Sequence, residues 1–218
     1  MSAVKVTVVV SDEPPKVEGL KSGPGFAALI ENRRTVLFDT GPSPDLLEHN
    51  LRELGYEPDD VDFVVISHNH WDHAGGLEAV APHALRVITP ERLNVPNEMV
   101  REEWLGIDDE VVLTDVLEGP PRERAAFVNG LLVTGCAHPG VDRFAEWCVR
   151  RGLKVRAVLG GFHLMGASRR EVERIADRLR ELGVRVAGPC HCSGDLAKEV
   201  FRERFEFVDV GPGLEVRV

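Results

Sequence analysis

Residues 67–76 read Ser67-His68-Asn69-His70-Trp71-Asp72-His73-Ala74-Gly75-Gly76. His68, His70, Asp72 and His73 put three imidazoles and one carboxylate within six residues. Donors this dense suit zinc, iron or manganese. Crowding them for any other purpose would desolvate polar groups without a gain in packing. A divalent ion held there would bring the pKa of a bound water toward ~7 and supply a nucleophile at neutral pH. The apolar run Val61-Asp62-Phe63-Val64-Val65-Ile66 just upstream predicts a buried strand. The ligands then sit on a loop at a strand's carboxyl end, a usual place for chemistry in layered α/β proteins.

Three further segments follow the same logic: Phe38-Asp39-Thr40-Gly41, Gly135-Cys136-Ala137-His138-Pro139-Gly140 and Pro189-Cys190-His191-Cys192. With the H-x-H-x-D-H run, in this order and rough spacing, they make the chain resemble the metallo-β-lactamase superfamily along nearly its whole length. The resemblance implies a metal-dependent hydrolase with two divalent ions, zinc first, with manganese or iron as alternatives. It assigns one metal to His68, His70 and His138, and the second to Asp72, His73 and His191. Asp39 and Ser193 would stand behind the ligands and orient them by hydrogen bonds. Asp72 would also orient the attacking water or receive its proton. Two ions ~3.5–4 Å apart clamp developing negative charge, which suits acyl or phosphoryl transfer to water.

The chain departs from the family pattern at one place. Many dinuclear members carry a bridging Asp after a late strand, whereas here that strand ends Val158-Leu159-Gly160-Gly161-Phe162-His163-Leu164 without an acid. Three roles stay open for His163: a substrate or oxyanion contact, an unusual ligand, or a structural histidine. The Gly-Gly-Phe-His-Leu run, the Gly-Cys-Ala-His-Pro-Gly run and His-Cys-Ser-Gly resemble the branch of 7,8-dihydropterin-6-methyl-4-(β-D-ribofuranosyl)-aminobenzene-5′-phosphate synthases. That resemblance implies an alternative activity: a transferase that releases pyrophosphate from a pterin pyrophosphate in methanopterin-type cofactor biosynthesis. A non-catalytic metal or redox protein, using the thiols near His191, is the remaining reading.

Several elements must position these residues. Val4–Val10 predicts a first strand, and 25–31 with 35–38 predict a hairpin that ends at Asp39. Ser43-Pro44 opens a helix whose Leu46, Leu47, Leu51 and Leu54 share a face, closed by Gly55. Residues 89–110 show no period and predict a loop or lid over the site. Asn129-Gly130 marks a hairpin whose second strand, Leu131–Thr134, delivers His138. Helices at 141–152, 169–182 and 195–202 alternate with strands at 155–159 and 184–187, and a closing strand pair is expected at 205–210 and 214–218. The pattern predicts two mixed sheets packed together with helices outside, in agreement with the four-layer αββα sandwich that the resemblance implies. No linker divides residues 1–218, so one domain is expected.

The chain is 43% hydrophobic and 28% charged, with a formal net charge of −10. That balance argues against a general nucleic-acid binder, which needs a basic face. No apolar run reaches the ~20 residues of a membrane span. The start, Met1-Ser2-Ala3-Val4-Lys5, lacks the regions of a signal peptide, so a cytoplasmic location is expected. The expected partner is a small anionic or phosphorylated substrate, with Lys21 and Arg143 as candidate phosphate contacts. Cys136, Cys148, Cys190 and Cys192 are expected as free thiols. Cys190 and Cys192, flanking His191, could alternatively be redox-sensitive or bind metal.

Overall fold

A computed structural model describes residues 4–218; Met1, Ser2 and Ala3 of the expected leader-free start lie outside the described residues. The first half supplies strands β1 (Lys5–Ser11), β2 (Phe26–Glu31), β3 (Thr35–Phe38), β4 (Phe63–Val65), β5 (Arg86–Thr89) and β6 (Glu98–Val100). The second supplies β7 (Leu105–Gly106), β8 (Val111–Leu113), β9 (Ala126–Val128), β10 (Leu131–Thr134), β11 (Ala157–Gly161), β12 (Val186–Cys190) and β13 (Glu206–Phe207). A last strand, β14 (Glu215–Arg217), returns to the first half. The helices are α1 (Pro44–Glu53), α2 (Trp71–Ala74), α3 (Leu77–Val80), α4 (Val141–Arg150), α5 (Arg169–Glu181) and α6 (Asp195–Arg204).

The strands form two seven-stranded sheets, ordered β14-β1-β2-β3-β4-β5-β6 and β13-β12-β11-β10-β9-β8-β7. Each is mixed: antiparallel from β14 to β3 and parallel from β3 to β6 in one, parallel from β13 to β10 and antiparallel from β10 to β7 in the other. Successive strand residues face opposite ways, and the cores follow that alternation. Val36, Phe38 and Val65 meet Leu131, Val133 and Leu159 between the sheets. Leu37 and Val64 turn outward onto Leu47 and Leu51 of α1 and Leu77 of α3. Leu132 and Val158 turn outward onto Phe144 of α4, Ile175 of α5 and Phe201 of α6. The result is the expected four-layer αββα sandwich.

The caps expected from sequence are in place. The Ser43 hydroxyl accepts from the Leu46 amide, and the Ser168 hydroxyl from the Glu171 amide. Two expectations are corrected. Residues 89–110 are not a periodless lid: they carry β6 and β7, the edge strands of the two different sheets. Such short edge strands lack a readable pattern because each is satisfied by one neighbour. The closing strands are also not a pair. β13 joins β12 in parallel, while β14 crosses to β1 in the other sheet. Turn residues Gly211-Pro212-Gly213 suggest a hairpin locally, but the open ladder of β1 decides the pairing.

Every segment singled out for chemistry leaves the carboxyl end of a parallel strand: Asp39 from β3, Ser67–His73 from β4, His138 from β10, His163 from β11 and His191 from β12. The close approach of β10 and β11 requires glycine. Gly160 has φ +124°, and a Cβ there would stand 2.0 Å from the Thr134 carbonyl oxygen. Gly160→Ala is therefore expected to lower the free energy of unfolding by at least ~2 kcal/mol. Urea denaturation measures this, and an unchanged midpoint would show that the two strands tolerate separation.

Candidate metal centre

β4 runs out into Ser67, and the chain turns so that His70 precedes the single-turn helix α2. This brings the rings of His68 and His70 to 4.5 Å between centroids. The β10 loop adds His138, 4.6 Å from the His68 ring and 5.0 Å from the His70 ring. On α2, Asp72 and His73 converge with His191 from the turn after β12, whose Nε2 lies 3.4 Å from Asp72 Oδ2. The donor atoms of His68, His70 and His138 lie within 4.8 Å of one another, as do those of Asp72, His73 and His191. Both expected triads are thus assembled, and His68 and His73, with ring centroids 4.3 Å apart, join them.

Buried carboxylates aim the rings. Asp39 is fully buried; its Oδ2 lies 2.7 Å from His73 Nδ1, and it accepts from the Ser67 amide and hydroxyl. The Ser67 hydroxyl also meets His68 Nδ1 at 2.9 Å. Glu123, equally buried, accepts from the amides of Cys136, Ala137 and His138, and its Oε2 lies 2.8 Å from His138 Nδ1. Sequence reasoning missed Glu123. Its only signal is an acid between Arg122 and Arg124 ahead of the apolar run at 125–128. Asp12, from the loop after β1, was also missed; it reaches His191 Nδ1 at 3.4 Å.

These environments set protonation. Burial drives the His68 pKa down to about 2, leaving a neutral ring with a free lone pair. Burial pushes Glu123 upward, but the hydrogen bonds from the His138 ring and amide outweigh it and hold the carboxyl at about 2. His73 feels burial downward, yet Asp39 overrides it and raises its basicity. One atom tests whether a cation fits: His68 Nε2 is buried without a hydrogen-bond partner. An orphaned, neutral imidazole nitrogen amid two further imidazoles suits a divalent ion and little else.

Backbone strain concentrates here. Asp39, Ala137, His163 and His191 all have φ between +49° and +59°; the other non-glycine residues at positive φ among the described residues are Asn94, Asn97 and Asn129. Asparagine, aspartate and histidine are enriched in this region, whereas Ala137 adopts it at a cost of order ~1–3 kcal/mol. Each sharp turn faces its strand's terminal side chains toward the common centre.

The other expected residues are placed as follows. The His163 ring lies 4.3 Å from that of His138, exposed, and belongs to no ligand-like group among the described residues. A hydrogen bond with Cys192 raises its pKa. Ser193 does not touch a ligand side chain; its hydroxyl accepts from the Phe162 amide and donates to the Cys190 carbonyl, tying β11 to β12 behind His163 and His191. All four cysteines are free. Cys190 points into the core between the sheets, so Cys136 and Cys192, not Cys190, are the thiols at the centre. Lys21 is exposed and Arg143 binds the carbonyls of Glu118 and Pro139.

A four-layer sandwich with two histidine-bearing triads at its parallel-strand ends defines a class of metal-dependent proteins. The chain belongs to the metallo-β-lactamase superfamily, whose family model matches residues 20–153. It is 26% identical to the 7,8-dihydropterin-6-methyl-4-(β-D-ribofuranosyl)-aminobenzene-5′-phosphate synthase of Methanocaldococcus jannaschii, covering 84% of this chain and 85% of the relative. It is 29% identical to an uncharacterized protein of the same organism, covering 78% and 84%. A crystal structure described as a metal-dependent hydrolase of the β-lactamase superfamily superposes with a TM-score of 0.80 at 26% identity, covering 99% of each chain.

Glu123→Gln keeps the size of the side chain but removes the charge that fixes the His138 tautomer. Metal affinity is expected to fall ~10–100-fold, read by competition with a chromophoric chelator. Wild-type affinity in the variant would show that the three amides alone hold the loop.

Proposed function

We propose that this protein is a metal-dependent hydrolase of a small anionic, ester-type or phosphorylated substrate. The observation that supports it is the convergence of His68, His70 and His138 beside Asp72, His73 and His191, with His68 Nε2 buried and unpaired. Divalent ions bound by these residues, zinc first, would supply Lewis acidity and a water activated at neutral pH. The chain's own groups do the rest. Asp39 and Glu123 fix the ring orientations before substrate arrives, so little reorganisation remains for the reaction. Asp72, half-buried on α2, receives the proton released by the attacking water. His163, exposed beside His138, donates a hydrogen bond to a substrate oxygen as negative charge builds there. Arg143 is held by the carbonyls of Glu118 and Pro139, which leaves His163, beside His138, as the contact for an anionic group.

One domain over residues 1–218 is part of this reading, supported by an inter-sheet core drawn from both halves of the chain. None of the described helices is long and apolar enough to cross a membrane.

A second reading is favoured by the synthase likeness, which extends over most of both chains. In it the same centre binds pyrophosphate oxygens of a pterin pyrophosphate, and an arylamine takes the place of water. Purified protein is expected to carry roughly two metal ions per chain and to hydrolyse a phosphodiester, with His68→Ala lowering kcat/KM by at least ~100-fold. Elemental analysis and steady-state assay with added zinc, manganese or iron test this. Pyrophosphate release that depends on an arylamine acceptor would favour the transferase instead, and neither turnover under any ion would overturn both.

A further inference from the structure

The second triad offers three protein donors, Asp72, His73 and His191. A catalytic zinc holds three protein ligands with a position kept for water, and it can expand to five, so the triad leaves room for one more donor; β11 supplies no acid. Gly161 shows what occupies the space instead: a Cβ there would stand 2.8 Å from Cys192 Sγ and 3.1 Å from Cys136 Cα. The nearest atom to such a Cβ would be the Gly135 carbonyl oxygen at 2.3 Å, so the end of β11 packs closely against both cysteine-bearing turns. Resting on the metal-centre reading above, we propose that Cys136 Sγ is a ligand of the second metal, making it a mixed nitrogen, oxygen and sulfur site.

Distances carry the argument. Cys136 Sγ lies 3.2 Å from His73 Nε2, the nitrogen left free by the Asp39 hydrogen bond. Bond lengths of ~2.3 Å to sulfur and ~2.0 Å to nitrogen place two ligands of a tetrahedral zinc ion ~3.5 Å apart. The pair is therefore spaced as ligands of one ion are. The sulfur also groups within 4.8 Å with His68 and His73, and again with His191 and Cys192, so it has neighbours from both triads.

The Cys136 backbone is fixed for this role, since its amide donates to buried Glu123 and the adjoining Ala137 takes a positive φ. Cys136 is 3% exposed, yet its sulfur faces polar groups rather than a hydrophobic cluster. Binding would form a metal–sulfur bond as the S–H bond breaks, with the proton released to solvent and no electron transferred. Sulfur makes the second site softer than an all-nitrogen-and-oxygen set and biases it toward zinc over manganese.

Cobalt(II) reports the ligand directly. Protein reduced, stripped and reloaded with Co²⁺ is expected to bind about two ions per chain and to show an intense thiolate-to-cobalt charge-transfer band in the near ultraviolet. Cys136→Ser should abolish the band and weaken the second ion ~10–100-fold. Cys136→Asp should restore occupancy without the band, and Cys192→Ser should keep it. Circular dichroism of each variant reports folding, and the wild-type spectrum stands even if a variant fails to fold. Two ions bound with no band, or a band that survives in Cys136→Ser, would overturn the thiolate ligand while leaving the metal centre intact. No ion bound at all would overturn both.

Discussion

The structure depends on pointing several imidazole lone pairs at one small volume. Neutral rings do not attract one another in that arrangement, and each must be held from behind. Asp39 and Glu123 do this from full burial. Each carboxylate accepts a ring hydrogen bond and backbone amides at once, so it fixes ring and chain together. The donors around Glu123 outweigh its burial and hold its carboxyl low, whereas at Asp39 burial outweighs them and pushes the carboxyl up. The segment bearing Glu123 is itself anchored, because the Arg124 amide donates to the Ser67 carbonyl between Asp39 and His68. The loops from β3, β4 and β10 are thereby knit through a few hydrogen bonds.

The sandwich provides rigid points from which these loops start. Parallel strands in both sheets end on the same side, so short turns from five strands reach one centre. The turns are tight enough to need left-handed backbone at Asp39, Ala137, His163 and His191. That strain is held by the inter-sheet core and by glycine at the closest approaches. Gly25, for example, passes so near α2 that a Cβ would stand 1.7 Å from the Asp72 carbonyl oxygen. The loop from β1 to β2 thus packs directly against the helix that carries Asp72 and His73. Asp12 in the same loop touches His191.

A shared fold does not carry a shared substrate. The superfamily relation establishes the sandwich and a place among metal-dependent proteins, while the substrate follows from what surrounds the donor groups. Here the surroundings are His163, two thiols and few free cations. The thiols separate this centre from one built only of histidine and carboxylate.

Periodic and punctuated features were legible in the chain alone. The H-x-H-x-D-H run, the strands that deliver Asp39, His138 and His191, and the Ser43 and Ser168 caps depend on local spacing and local hydrogen bonds. The sequence therefore determined which histidines and acids the strand ends carry, and the layer order. Contacts between distant segments were not legible, because a single acid or thiol has no period. Only the tertiary structure paired Glu123 with His138, brought Asp12 to His191, and moved Ser193 from a ligand's support to a tie between β11 and β12. It alone sent Cys190, at the end of β12, into the core and set Cys136, in the turn after β10, against His73. It also separated β13 from β14 onto different sheets, because an unpaired strand edge is satisfied by whichever partner the whole fold brings near.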